Sequence, residues 1–294
     1  MIVVMGAASA SGNALVHRLA DAGIPCRALT RDPDRLRASA NALPTVAIRY
    51  ADSSNAASLR TAFEGASQLF LTMTNGPDQV ELETRTIEIA VDNGIDHIVK
   101  LSAPTAAPDS PVTIARWHYA IEEALRETGI SHTILRPYAF MQKLLLLTPQ
   151  LSAQGHFVGA MGDAPCNYID CRDIADVAAA ALTRSEIAGG TYTLTGPETY
   201  SHPQLAALFS ERLGTTIRYV DLPPAEFRQQ LIQRSGLPHW LADHVTEIQQ
   251  LAITHPEHPA DTVTRILGRP PRTMEAFLTE HLNAFRHSHS RASR

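Results

Sequence analysis

The residues with the clearest chemical potential are small ones near the start of the chain. Met1–Met5 is an apolar run, and Gly6, Ser9 and Gly12 follow it at three-residue intervals before a periodic stretch begins at Ala14. This order predicts a strand, a glycine turn and a helix, in which backbone N–H groups and a helix N-terminus can hold a pyrophosphate. The first chemistry indicated is therefore the binding of a dinucleotide.

Ser9 stands where the dinucleotide-binding pattern closest to this turn has its middle glycine. A Cβ at this point crowds the approach of the backbone to phosphate, although the hydroxyl can donate a hydrogen bond in compensation. An ordinary strand-to-helix turn is the alternative interpretation. The residues expected to contact the cofactor here are Gly6, Ser9, Ala10, Ser11 and Gly12.

Arg31 ends the predicted second strand, where a cofactor with a free ribose 2′-hydroxyl is usually met by Asp or Glu. A cation at this position suits a 2′-phosphate, so the sequence favours NADP(H) over NAD(H). A solvated arginine is the alternative. Asp32 is predicted to cap a helix instead of binding ribose, because Pro33 follows at the first helical position.

Polar residues close three further predicted strands. Asp52 could accept a hydrogen bond from an adenine amino group or cap the next helix. Thr72 and Met73 belong to a segment that should border the cofactor, because ligands of such folds bind outside the carboxyl ends of strands, although its threonines could equally be turn residues. Ser102 could orient a substrate oxygen beside the nicotinamide. Lys100 could neutralise phosphate or point to solvent, which is the commoner fate of lysine.

His118 is the candidate proton donor, because histidine ordinarily titrates near neutrality. Glu122 falls on the same helical face and could hold the imidazole, although such pairs are more often structural. Tyr119 lacks a lysine four residues later, since Glu123 stands there, so a tyrosine–lysine pair is absent. Tyr138 could cover the nicotinamide face, with core packing as its alternative role.

Alternating strand-like and helix-like segments position these residues. After the N-terminal strand, further strands are predicted at 25–29, 45–50, 68–73, 97–103 and 132–137. Helical patterns such as Asp78–Asp92 lie between them. Strands that alternate with helices indicate a parallel sheet covered on both faces. The right-handed crossover rule then favours a doubly wound, Rossmann α/β fold.

The pattern changes after about residue 140, where helical stretches dominate and prolines punctuate the chain. We expect residues 1–140 to form the dinucleotide-binding domain. Residues 141–285 are expected to form a smaller, mostly helical lobe that interleaves with it, because a helix predicted at Asp173–Thr183 returns to the main domain. Residues 286–294 are expected to be a flexible tail.

Composition narrows the classes of function. The chain has 294 residues, 44% of them hydrophobic, and its net charge of −5 gives no electrostatic footprint for nucleic acid. Its three scattered cysteines form neither a disulfide framework nor a zinc motif, and the histidines lack helical metal spacing, so no metal site is expected. Without a signal peptide or a long apolar run, a cytoplasmic protein without membrane contact is predicted.

These motifs together resemble the NmrA-like group of atypical short-chain dehydrogenases/reductases over nearly the whole chain. The matching segments, in order, are the glycine turn, Thr30–Pro33, Trp117–His118 with Glu122, Thr133–Pro137, Asp170–Ala175, Leu194–Glu198 and Gly268–Pro271. The resemblance implies cofactor contacts at Gly6, Gly12, Arg31, Thr72 and Ser102. Isoflavone-reductase-like enzymes of this kind carry a catalytic lysine near the position of His118. The resemblance therefore implies that His118 acts as the catalytic acid.

Chains of this group are similar to NAD(P)H-dependent quinone oxidoreductases and to azo-dye, triphenylmethane-dye and ergot-alkaloid reductases. The resemblance implies an NADPH-dependent reductase that transfers hydride to a quinone or similar conjugated small molecule. Its candidate catalytic residues are His118, Ser102 and Tyr138. Two alternatives stay open: an NADP(H)-binding redox sensor without turnover, and a protein that has lost its cofactor, for which Ser9 is the only sign. A homodimer is also left open.

Overall fold

A seven-stranded parallel sheet forms the centre of this computed structural model, which describes residues 1–39 and 43–286. The strands in that part of the chain are β1 (Ile2–Val4), β2 (Cys26–Thr30), β3 (Val46–Tyr50), β4 (Gln68–Leu71), β5 (His97–Leu101), β6 (Ser131–Pro137), β7 (Ala139–Phe140), β8 (His156–Gly159), β9 (Cys166–Ile169), β10 (Thr191–Leu194), β11 (Thr199–Tyr200) and β12 (Arg218–Asp221). The large sheet has the order β10-β6-β5-β4-β1-β2-β3, with every neighbouring pair parallel.

Helices connect these strands and cover the sheet. They are α1 (Ala10–Asp21), α2 (Pro33–Ser39), α3 (Ala56–Phe63), α4 (Gln79–Asp92), α5 (Thr113–Glu127), α6 (Thr148–Gln154), α7 (Cys171–Thr183), α8 (His202–Leu213), α9 (Pro224–Gln233), α10 (His239–Thr254), α11 (Thr262–Leu267) and α12 (Met274–Arg286). A 3-10 helix spans Met141–Leu147. None of the described helices is long and apolar enough to cross a membrane.

Apolar side chains bury both faces of the large sheet. One face packs against α1 and α7 through residues such as Leu15 and Ile174. The opposite face packs against α3, α4 and α5 through Phe63, Ile87 and Ile121. Strands buried on both sides need apolar residues at successive positions, which explains the continuous apolar runs of the sequence. The predicted doubly wound α/β fold is confirmed.

The direction of the strand order reverses between β1 and β4. The chain moves outward from β1 to β2 and β3, and then crosses to β4 on the other side of β1. A crevice opens at such a reversal, and it is where ligands of doubly wound sheets bind. β4 ends at Leu71 and β5 at Leu101, two residues earlier than predicted in each case. Thr72, Met73 and Ser102 therefore lie in the loops that border the crevice.

A second apolar core forms among the elements after residue 140. β8 pairs with β12, and β9 lies between β7 and β11, over a core that contains Phe157, Phe209 and Phe277. The predicted helix at Asp173–Thr183 is present as α7 and returns to the large sheet, as does β10. The boundaries 1–140 and 141–285 stay predictions. Of the predicted tail, Arg286 ends α12, and 287–294 lie outside the described residues.

Two carboxylates of α7, one buried and one partly exposed, join the first helix of the chain to its C-terminal segment. Asp176 accepts from Arg18 of α1, with 2.9 Å between Nε and Oδ1. Asp173 has no exposed surface and accepts from the Arg269 guanidinium at 2.8 Å and from the backbone N–H of Arg272 at 2.7 Å. Both arginines also contact Asp176. This cluster holds α1, α7 and residues 269–272 together.

We expect Asp173→Asn to lower the free energy of unfolding by about 2–3 kcal/mol, because it removes the charge from hydrogen bonds that two arginines donate. The matched control is Asp34→Asn, which weakens the exposed pair between Asp34 and Arg37 on α2. That pair contributes less than about 0.5 kcal/mol. Urea denaturation of the two variants measures the difference, and equal losses would contradict the structural role of Asp173.

Candidate active site

The turn after β1 brings two stretches of backbone so close together that only glycine fits. Gly6 has a φ of +76°, and a Cβ there would lie 2.4 Å from the carbonyl oxygen of Thr72. A Cβ on Gly12 would lie 2.2 Å from the carbonyl oxygen of Gly6. Both positions therefore require glycine for steric reasons. The turn lies against the loop after β4. Gly6 and Thr72 are therefore neighbours, as they must be if both contact one cofactor.

Ser9 is the N-cap of α1. Its backbone is extended, and its hydroxyl oxygen accepts a hydrogen bond of 3.0 Å from the backbone N–H of Gly12. The side chain is thus used inside the turn, where it also lies 3.5 Å from the hydroxyl oxygen of Ser11. The hydroxyl replaces the middle glycine of the usual pattern by capping the helix, which strengthens the start of α1 and occupies one of its N–H groups.

Two backbone N–H groups at the start of α1 have no hydrogen-bond acceptor among the described residues. They belong to Ala10 and Ser11, the first two residues of this 12-residue helix. Unpaired N–H groups and the positive end of the helix dipole together form an anion site. The turn therefore fits a pyrophosphate, and it does so with Ser9 in place.

The end of β2 carries the predicted 2′-phosphate ligand. Arg31 is exposed and forms no ion pair with the part of the chain that is described. The predicted cap at Asp32 is confirmed, because its Oδ1 accepts from the backbone N–H of Arg35 at 3.0 Å. A guanidinium that is not engaged by the protein, beside a capped helix, remains available to an anionic ligand.

Asp52 lies near Arg31 at the end of β3. Hydrogen bonds from the backbone and hydroxyl of Ser54 hold the pKa of Asp52 below its usual value, with a smaller effect from the charge of Arg31. The predicted alternative, that Asp52 caps the next helix, is wrong. Asn55 caps α3 by accepting from the backbone N–H of Ser58, because it directly precedes the first helical turn. Contact of Asp52 with adenine stays a prediction.

Lys100 is fully buried, and neither role predicted for it holds. Its Nζ lies 2.8 Å from Oε2 of Glu83, which is also fully buried, on α4. The ammonium donates to Nδ1 of His118 over 3.3 Å. Glu83 balances the charge of the ammonium inside the protein. Lys100 therefore neither points to solvent nor is free to neutralise a phosphate. Glu83 was missed at the sequence level, since nothing in its local pattern marks it as the partner of a buried lysine.

The sequence suggests that Glu122 could hold His118, but Glu122 instead accepts hydrogen bonds from three other side chains. Ser102 donates to its Oε1 at 2.5 Å, Arg136 to the same oxygen at 2.9 Å, and Arg126 to Oε2 at 2.9 Å. Burial raises the pKa of Glu122, but the hydrogen bonds from Arg136 and Ser102 outweigh this effect and leave it lowered. The charge of two arginines attracts the carboxylate more strongly than a neutral imidazole does.

His118 is a buried, neutral imidazole. Burial is the main reason that its pKa lies well below the usual value, and the Lys100 ammonium, His244 and Arg136 lower it further. Near neutral pH the ring therefore acts as a hydrogen-bond donor or acceptor and not as a cationic acid. A proton-donor role for His118 then requires that the proton leave a neutral ring.

Tyr138 lies directly after β6, half-buried, beside a carboxylic acid that the sequence did not reveal. Burial raises the pKa of Tyr138, and the charges of Glu257 and Cys166 raise it further. Glu257 follows α10 and accepts from the backbone N–H of Asn167 at 2.5 Å. Burial raises the pKa of Glu257 to about 7. No short-range motif identifies Glu257, because its partner lies on β9.

Helix α10 covers the start of α5. Glu247 accepts from the backbone N–H of Thr113 at 2.9 Å and from its hydroxyl at 3.2 Å, so a residue of α10 caps α5. The rings of Trp117 and Trp240 lie 6.2 Å apart at the same junction. α10 therefore packs against the N-terminal half of α5, the helix that carries His118. In the described part of the chain, no group of three or more potential ligands could hold a metal ion.

We expect Gly12→Ala to lose about 1–3 kcal/mol of stability and to weaken NADPH binding, because the added methyl group meets the carbonyl of Gly6. Gly76→Ala is the matched control, since a Cβ at Gly76 meets nothing within 4 Å and its φ is ordinary. Thermal unfolding and fluorescence titration with NADPH measure both effects. A Gly12 variant as stable as the Gly76 variant would rule out the tight turn.

Comparison with known proteins places the chain among reductases. The sequence profile of the NmrA-like family matches residues 1–278. An NAD(P)H azoreductase from Xenophilus azovorans is 35% identical over 289 residues, which is 97% of this chain and 99% of that protein. A (4-alkanoyl-5-oxo-2,5-dihydrofuran-3-yl)methyl phosphate reductase from Streptomyces griseus is 34% identical over 287 residues, or 97% and 99%.

Among solved structures, the NADPH complex of the NADPH-dependent quinone oxidoreductase of Escherichia coli matches with a TM-score of 0.85 and 25% identity. The match covers 96% of this chain and 100% of that one. The family resemblance predicted from the ordered motifs is confirmed over its full extent. The chain belongs to the NmrA-like family.

Proposed function

We propose that this protein is an NADPH-dependent reductase that transfers hydride to a flat, conjugated small molecule, with quinones as the favoured class. The proposal rests on one arrangement within residues 1–39 and 43–286: the start of α1 offers two N–H groups without an acceptor, and the end of β2 offers an arginine without an ion-pair partner. A dinucleotide with a 2′-phosphate supplies an anion for each.

The broader reaction class, NAD(P)H-dependent reduction, is borne out by the relatives. Both curated proteins described above are reductases, and each aligns with nearly the whole chain. Their named substrates, an azo compound and an unsaturated lactone, share conjugation with the quinone of the structural relative. This shared property supports a conjugated acceptor and leaves the preferred compound to experiment.

The residues divide between holding the cofactor and facing the acceptor. The pyrophosphate is assigned to Gly6, Ser9, Ala10, Ser11 and Gly12. The bound nicotinamide supplies the hydride, while the protein supplies orientation and polarity. Arg31 is assigned to the 2′-phosphate and Asp52 to the adenine. Thr72, Met73 and Ser102, in the loops after β4 and β5, are assigned the remaining cofactor contacts.

The electrostatics of the crevice suit an acceptor that needs no strong acid. His118 is neutral, and Ser102 already donates to Glu122. A conjugated acceptor spreads the negative charge that hydride transfer creates, so a hydrogen bond from His118 suffices to stabilise it. Tyr138 is assigned to the nicotinamide face. The redox-sensor alternative has no feature of this structure that favours it, and a homodimer and a cytoplasmic location stay predictions.

Arg31→Ala should weaken the binding of NADPH far more than that of NADH, since a charge-assisted phosphate contact contributes about 1.5–3 kcal/mol. Arg60→Ala is the control, because Arg60 is an exposed arginine on α3. Fluorescence titration of wild type and both variants with each cofactor gives the comparison. Equal losses for NADPH and NADH would remove Arg31 from the 2′-phosphate site.

Reductase activity should appear as steady oxidation of NADPH in the presence of a quinone. A panel of quinones, azo compounds and unsaturated lactones ranks the acceptors by kcat/KM, and the quinones are expected to rank first. Bound NADPH without turnover on any member of the panel would overturn the reductase function in favour of the redox sensor.

A further inference from the structure

Lysine is rare in this protein, and one lysine is buried. Of its 25 lysines and arginines only two are lysines, Lys100 and Lys143. Lys100 lies in β5 with no exposed surface. A buried ammonium is unfavourable unless other groups balance its charge and accept its protons. The groups that contact the Lys100 ammonium therefore indicate what the buried charge does.

Three groups contact the Lys100 ammonium. One is the Glu83 carboxylate, which forms an ion pair with 2.8 Å between Nζ and Oε2, and a second is the backbone carbonyl of Leu101, which accepts a hydrogen bond. The third is Nδ1 of His118 at 3.3 Å. Glu83 is itself fixed, since Gln79 donates to its Oε1 at 2.8 Å. The ammonium is therefore held in one position, with one donor directed at the histidine.

The contact with Lys100 determines where the proton of His118 lies. Because the ammonium can only donate, Nδ1 must accept, and the single proton of the neutral ring must be on Nε2. Within residues 1–39 and 43–286, no group hydrogen-bonds to Nε2. The Nε2–H group is thus left for a ligand. Without Lys100 the ring could place its proton on either nitrogen.

We propose that Lys100, held by Glu83, is a positioning residue that fixes His118 in the Nε2–H tautomer and so directs one hydrogen-bond donor at the acceptor. The inference takes its catalytic meaning from the reductase function proposed above. Lys100 itself touches neither cofactor nor acceptor. It acts through His118, just as the second partner of a histidine sets its tautomer in other sites.

The tautomer can be observed directly by NMR of the full-length protein labelled with 15N at histidine, without any cofactor. The signals of His118 are identified by their absence from His118→Gln. In wild type, we expect a neutral ring with the proton on Nε2 and a bare Nδ1. A proton on Nδ1, or a cationic ring at neutral pH, would overturn the proposal.

Substitution of the lysine tests the cause. In Lys100→Met the His118 signals should shift to an average of the two tautomers, while Lys143→Met should leave them as in wild type. Because Lys100→Met leaves the Glu83 charge unpaired and can impair folding, Lys100→Met/Glu83→Gln removes both charges together. Retention of a pure Nε2–H tautomer in the folded double variant would contradict the proposal.

Kinetics with a quinone provide a second readout in the same double variant. We expect kcat to fall at least tenfold with the KM for NADPH unchanged, because the donor is misdirected while the cofactor site is intact. An unchanged kcat would overturn the positioning role. Absence of activity in wild type would instead refute the reductase function and leave the NMR result on the tautomer to stand by itself.

Discussion

The structure depends on the close approach of the turn after β1 to the loop after β4. Gly6 allows this approach, because a Cβ there would collide with the carbonyl oxygen of Thr72, and Gly12 keeps the turn itself tight, because a Cβ there would collide with the carbonyl oxygen of Gly6. The contact lies where the strand order reverses, beside the start of α1, where two N–H groups have no acceptor in the described part of the chain. One steric constraint thus gives the fold its ligand site, and the other site residues are arranged along the strands beside it.

Charges buried next to this crevice are satisfied in separate groups. Glu83, Lys100 and His118 form one, and Glu122 with its arginines forms another. In each group the buried carboxylate is paired with a cation, as buried ions must be. The two groups keep the polarity at the ends of β5 and β6 fixed before any ligand binds, which is how a site lowers the energy of developing charge.

The sequence predicted what depends on neighbouring residues and missed what depends on tertiary contacts. The glycine turn, the alternation of strands and helices in a parallel sheet, and the cap at Asp32 follow from local sterics and periodicity, and they agree with the structure. Lys100 was placed wrongly because its counter-charge comes from another helix. Glu122 was paired with the wrong residue, because one arginine reaches it from β6 and another, four residues further along α5, pairs with it as well. Glu257 carried no local signal at all.

The cluster of Asp173 and Asp176 has a consequence for biosynthesis. Arg18 of the first helix and Arg269 near the end of the chain meet on these two carboxylates. During vectorial translation, the ribosome must therefore release almost the whole polypeptide before the helix after the glycine turn gains its final support. Nascent chains that stop short of residue 269 would expose the outer face of α7, and they are natural clients for chaperones and proteases.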